Sequence, residues 1–166
     1  MEVIKRLNKK ILFGIIFIFI TSLIIISVYK QIPPASPTIV FVGDSMTEYL
    51  GNFDELRGYL KNYYPAKKFL LLNYGFSSTN ILSVAERLEK DSTHSGRIFQ
   101  AINNIPYDAI IIESFGHNPL SEYPLEEGLK RQNEALDKIV AAITQKHPRS
   151  SIIFMATIAP YQQRSG

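Results

Sequence analysis

The stretch Thr38-Ile39-Val40-Phe41-Val42-Gly43-Asp44-Ser45 decides the fold. An unbroken row of β-branched and aromatic residues describes a strand buried on both faces, as in a parallel sheet covered by helices above and below. Working outward, the same pattern returns. Phe69-Leu70-Leu71-Leu72 predicts a second strand that runs into Asn73-Tyr74-Gly75. Ala109-Ile110-Ile111-Ile112 predicts a third, and Ser151–Met155 a fourth. Helical spacing fills the gaps. Phe53, Leu56, Leu60 and Tyr63 recur until Pro65, and Thr79 is placed to cap a helix carrying Ile81, Val84, Ala85 and Leu88. A shorter helical piece is expected at Ile98, Phe99 and Ile102. Leu129, Gln132, Leu136, Ile139, Val140 and Ile143 mark a long helix ended by His147-Pro148. Strands alternating with helices mean an α/β protein, a three-layer doubly wound parallel sheet.

Before this domain the chain changes character. Residues 11–29, ILFGIIFIFITSLIIISVY, carry no charge, and as a helix they would span roughly 28 Å, close to the hydrocarbon thickness of a bilayer. The run is longer than a signal-peptide core and ends without an A-x-A pattern, so an uncleaved transmembrane anchor is expected. Lys5, Arg6, Lys9 and Lys10 precede it and only Lys30 closely follows. The positive-inside rule therefore assigns residues 1–10 to a cytoplasmic basic tail and sends the rest across the membrane. Residues 30–37 hold Pro33, Pro34 and Pro37 and read as a semi-rigid linker. The folded domain occupies 38–166.

Charge narrows the function. The net charge of +3 resides in residues 1–10; beyond them 14 basic side chains face 14 acidic ones. A neutral domain argues against a nucleic-acid binder, which concentrates Lys and Arg on its folded face. The chain has no cysteine, which removes disulfides, thiolate-ligated zinc and a thiol nucleophile. No metal or organic cofactor is expected.

In doubly wound sheets the ligand lies beyond the carboxyl ends of the strands. The residues there are Gly43-Asp44-Ser45, Asn73-Tyr74-Gly75-Phe76-Ser77-Ser78 and Glu113-Ser114-Phe115-Gly116-His117-Asn118. Serine attacks a carbonyl only when a base removes its proton, and the resulting oxyanion needs preorganised donors. The backbone N–H of Ser45, an N–H from the Gly75–Ser78 loop and the Asn118 side-chain amide are the available donors. Asp44, Gly43 and Gly116 would support the turns. Each feature also has a plainer role: Ser45 as a helix cap, Gly75 as a turn residue, Asn118 as an Asx-turn former beside Pro119.

Taken together, these three blocks resemble the SGNH, or GDSL-type, serine hydrolases, whose fold is a flavodoxin-like three-layer sheet. Gly43-Asp44-Ser45 matches the family's G-D-S, with Ser45 on the nucleophile. Asn73-x-Gly75-x-x-Ser78 is similar to N-x-G-x-x-G, with Ser78 on the second glycine, whose N–H enters the oxyanion hole. Gly116-His117-Asn118-Pro119 matches G-x-N-D, with Asn118 on the oxyanion amide and Pro119 replacing the aspartate. The resemblance covers about 38–163. Its fourth block, a D-x-x-H after the last strand, has no match, so the C-terminal part of such a domain is expected to be missing. Asp91-Ser92-Thr93-His94 reads D-x-x-H, but its place between the second and third blocks puts it toward the opposite edge of the sheet.

The resemblance implies a membrane-anchored, extracytoplasmic ester hydrolase acting on acyl esters of lipids, glycans or small molecules. Two other readings remain open. One is an O-acyltransferase of surface glycans. The other is a non-catalytic binding module or inactive fragment, given the missing histidine. Oligomeric state is left open.

Overall fold

The computed structural model describes Gly14, residues 17–22, residues 36–115, Leu120 and residues 122–155. The chain divides into two compact units, Met1–Ala35 and Ser36–Gly166. In the first unit, Gly14 and residues 17–22 are helical, and the Thr21 and Ser22 hydroxyls donate back to the Phe17 and Ile18 carbonyls. Among the described residues no helix is long and apolar enough to cross a membrane. The basic tail, the rest of the expected 11–29 anchor and most of the 30–37 linker lie outside the described residues.

The second unit is the expected parallel α/β sheet. Strand β1 (Thr38–Gly43) leads through a short helix α1 (Ser45–Tyr49) into α2 (Asp54–Tyr63) and then β2 (Leu70–Gly75). Helix α3 (Val84–Glu89) and a hairpin, β3 (Ser92–His94) and β4 (Arg97–Phe99), precede β5 (Ala109–Glu113). Helix α4 (Leu125–Lys146) then leads to β6 (Ser151–Met155). The main sheet has the order β2-β1-β5-β6, all parallel, with Val40 beside both Leu72 and Ile110.

Strand periodicity sorts side chains to two faces. Val40, Val42, Ile110 and Ile112 point to one face and pack with Val84 and Leu88 of α3 and with Ala135, Ile139 and Ile143 of α4. Phe41 and Leu71 point to the other, against Phe53 and the partly buried Leu56 and Leu60 of α2. Each fully buried aliphatic side chain stabilises the unit by about 1.5–3 kcal/mol, and β1, at the centre, contributes to both cores.

Three local expectations are corrected. Ile98 and Phe99 lie in β4, not in a helix, because Ser95 and Gly96, both at positive φ, turn the chain into a hairpin. Asn80, rather than Thr79, supplies the cap: its side chain accepts from Leu82 N at the head of a single 3-10 turn (Ile81–Ser83), and α3 starts only at Val84. Leu129 and Val140 fall outside the buried stripe of α4, which runs through Gly128, Ala135, Ile139 and Ile143.

Candidate functional site

The chain leaves β1 toward β2, then passes to the other side of β1 to form β5. This reversal of direction opens a crevice beyond the carboxyl ends of β1 and β5. At that position the first turn is locked from below. Glu113, the last residue of β5, accepts from Asp44 N at 3.2 Å and from the Thr47 hydroxyl at 2.6 Å. A Cβ at residue 43 would collide with both Thr47 Oγ1 and Glu113 Oε2, so only glycine lets the carboxylate reach under the turn. Asp44 is fully buried and caps α1 by accepting from Met46 N at 2.9 Å. Ser45 is the first residue of α1 and is exposed.

The loop after β2 is tied to the same helix. Asn73 accepts from Gly75 N and donates to the Thr47 and Gly51 carbonyls, each at 2.9 Å. Gly75 lies so close to α1 that a Cβ would strike Glu48 N and the Thr47 carbonyl carbon. Glu48 then reaches over the loop: its Oε2 accepts from Ser77 N at 2.8 Å and from the Ser77 hydroxyl. Chiefly through that hydroxyl, the Glu48 carboxyl is held below its usual value; partial burial opposes this, and His94 and the Ser77 N–H add to it. Ser78 follows at φ 61, in the left-handed region that glycine adopts more readily.

Arg87 joins the two loops from within. It is buried on α3, and its Nη1 donates to Gly43 O at 3.0 Å and Tyr74 O at 2.9 Å, while Nη2 donates to Ser83 Oγ at 3.0 Å. The guanidinium lies 4.9 Å from the Phe76 ring centroid and 5.8 Å from that of Phe115. Burial pulls its pKa down to about 10, against the pull of the nearby Asp44 charge, so it stays protonated at neutral pH. The sequence signal that reveals it is a cation three residues after Val84 and one before Leu88, inside an apolar helical stripe.

The hairpin places His94 differently from expectation. It returns to the carboxyl edge, where His94 Nε2 sits 3.1 Å from Glu48 Oε1 and the ring stacks on Phe76 at 4.6 Å and 9°. Asp91 instead accepts from Ala101 N at 2.8 Å. A cavity of about 430 Å³ opens here, lined by Glu48, Asn73, Gly75, His94, Arg97 and Phe99 among others.

Ser45, Asp44, Gly43, Gly75 and Ser78 thus gather around α1 at one edge of the sheet. Gly116 and Asn118 lie outside the described residues, as do His117 and Pro119. Among the described residues no group of three His, Asp or Glu side chains could hold a metal ion. Chemically, the arrangement offers an exposed serine at the head of a helix to which Glu48 and Asn73 tie the loop after β2.

No protein-family model and no curated protein sequence matches the chain. Among solved structures it is similar to a Streptococcus pneumonia protein described as a platelet activating factor, at 17% identity and a TM-score of 0.48, covering 81% of this chain and 52% of that one. It is also similar to a variant of an acetyl xylan esterase from Geobacillus stearothermophilus, at 19% identity and a TM-score of 0.49, covering 72% of this chain and 59% of that one. The chain therefore spans less than two thirds of either protein. Neither likeness bears on activity, and the fold rests on the strand order itself.

Proposed function

We propose that this chain belongs to a serine ester hydrolase, attached to the membrane through residues 11–29 with its domain outside the cytoplasm. Ser45 Oγ attacks the ester carbonyl and gives its proton to a base. The sequence resemblance implies a histidine as that base. The N–H groups of Ser45 and Ser78, the Gly75–Ser78 loop and the Asn118 amide receive the oxyanion; each such donor is worth on the order of 10²–10³ in rate. The alcohol leaves with the proton, and water then releases the acid from Ser45.

The observation that carries this reading is the locked turn. A buried carboxylate, Glu113, fixes Asp44 and Thr47 on either side of an exposed Ser45 at the switch point of the sheet. The plainer expectation that Ser45 itself caps the helix is corrected, since Asp44 does so by accepting from Met46 N. Acyl transfer to a glycan hydroxyl uses the same first step, and product analysis separates the two. The protein should hydrolyse p-nitrophenyl acetate, and Ser45→Ala should lower kcat/KM by more than about 10³-fold with its circular dichroism unchanged. Equal activity of a folded alanine variant overturns the assignment.

A further inference from the structure

The opposite edge of the sheet carries a second organised surface. The chain enters the domain beside β2: Pro37 O accepts from Leu70 N at 2.9 Å, one residue before β1 and at the first residue of β2. Lys67 and Lys68 stand just before Phe69 and Leu70, and the last turn of α2 shares a cavity with them. Arg57, Lys61, Lys67 and Lys68 surround a cavity of about 340 Å³ that has no acidic residue in its lining. All four are exposed, and no Asp or Glu occurs between Glu55 and Glu86. In a domain whose charges otherwise balance, this is a local excess. The dipole at the end of α2 accounts for Lys61 alone, since the dipole acts within the last turn and Lys67 and Lys68 lie beyond it. Tyr63 and Tyr64 are also exposed here, at 78% and 50%. Lysines and tyrosines together on one face suit the headgroup region of a bilayer, where a ring buries its body and keeps its hydroxyl wet.

We propose that this amino edge of the sheet, through Arg57, Lys61, Lys67 and Lys68, is the surface the domain lays on an anionic lipid leaflet. The placement rests on the membrane attachment proposed above. The chain enters the domain at this edge, at Pro37 beside Leu70, rather than at the crevice. Each basic side chain near an anionic leaflet strengthens the contact roughly fivefold, and only within about a Debye length, near 8 Å at physiological salt. Ser45 lies beyond the far end of β1, roughly 20 Å of strand away. Docked this way, the crevice opens away from the lipid, toward esters that stand off the membrane.

The test uses the full chain mixed with vesicles of phosphatidylcholine, with or without phosphatidylglycerol. Each lysine is scored by reductive methylation and peptide mass spectrometry. Lys61, Lys67 and Lys68 should be methylated several-fold more slowly on the anionic vesicles, the protection should vanish in high salt, and Lys130 and Lys138 should not change. The double variant Lys67→Glu, Lys68→Glu should lose the protection at Lys61 while hydrolysing a soluble ester as before. Equal labelling on both vesicle types overturns the proposal. So does equal protection by inorganic phosphate on neutral vesicles, which would mark a free-anion site. Flotation with neutral vesicles reads the N-terminal anchor separately. Lysine protection without such flotation upholds the docking surface and refutes the tether.

Discussion

Strands β1 and β2 end in opposite ways at their two edges. At the carboxyl edge, Asp44, Thr47, Arg87 and Glu113 are all buried, and hydrogen bonds tie each of them to backbone or to one another, with Arg87 Nε alone among the guanidinium nitrogens left without a partner. At the amino edge, Arg57, Lys61, Lys67 and Lys68 stand in solvent. Burying a polar group is unfavourable unless its partners are present, so the carboxyl edge has little freedom: each member fixes the others. Arg57 donates to the Asn52 carbonyl at 2.7 Å and the Leu71 carbonyl at 3.4 Å, but exposed lysines hold little fixed geometry in water and can turn to a surface that approaches. One edge holds a fixed arrangement at a point, the other presents charge over an area.

The contrast is broken most severely at Glu113. Glu113→Ala strands the buried Asp44 N–H and Thr47 hydroxyl, and urea unfolding should show a loss of about 2–5 kcal/mol; Lys67→Ala at the other edge should change stability by less than about 0.5 kcal/mol. Similar values for the two would dissolve the distinction. Next comes Gly75→Ala. Its Cβ meets backbone atoms of α1 that cannot swing aside, so a loss of about 2–3 kcal/mol is expected, and the loop carrying Ser77 and Ser78 should shift away from Ser45, lowering activity in parallel.

Ser78→Gly acts in the other direction. Relieving a left-handed serine should raise stability by about 0.5–1 kcal/mol, read as a higher Tm; a fall would mean that the side chain itself is needed. The smallest effect concerns Glu48. Its folded pKa lies below the ordinary 4.5, so its stabilising share is complete above that value and is lost as pH falls through the lower, folded one. The Tm difference between wild type and Glu48→Gln should therefore not shrink between neutral pH and about 4.5 and should shrink only under more acid conditions. A difference that shrinks already near pH 6 contradicts the Ser77 and His94 contacts.

Much of the carboxyl edge is legible in the sequence because strand ends are. A run of apolar residues stopping at glycine marks where backbone leaves the sheet, and Gly43, Gly75 and Glu113 stand at such stops. Less legible was the partner to each. Glu113 sits 69 residues from the Asp44 N–H it accepts, and nothing local couples them. Arg87 left a signal, a cation in an apolar stripe, whose meaning depends on which carbonyls face it. His94 left a weaker one: Ser95-Gly96 is hairpin chemistry, and the hairpin carries the histidine to Glu48 rather than away from it.

β1 and β6 show where the boundary falls. Thr38-Ile39-Val40-Phe41-Val42 and Ser151-Ile152-Ile153-Phe154-Met155 are nearly interchangeable as sequences, and both are strands. Yet Val40 and Val42 are wholly buried, while Ile153 and Phe154 are each 46% exposed. The amino-acid sequence by itself determined the four strands of the main sheet, the helices between them and the residue types at the strand ends, because dihedral preference and side-chain period act over a few residues; it misplaced the short β3–β4 hairpin. Strand order, the crossing of Arg87 to Gly43 and Tyr74, and the meeting of Glu48, Ser77 and His94 were decided only by the tertiary structure, because burial and hydrogen bonding depend on which distant segments come to lie side by side.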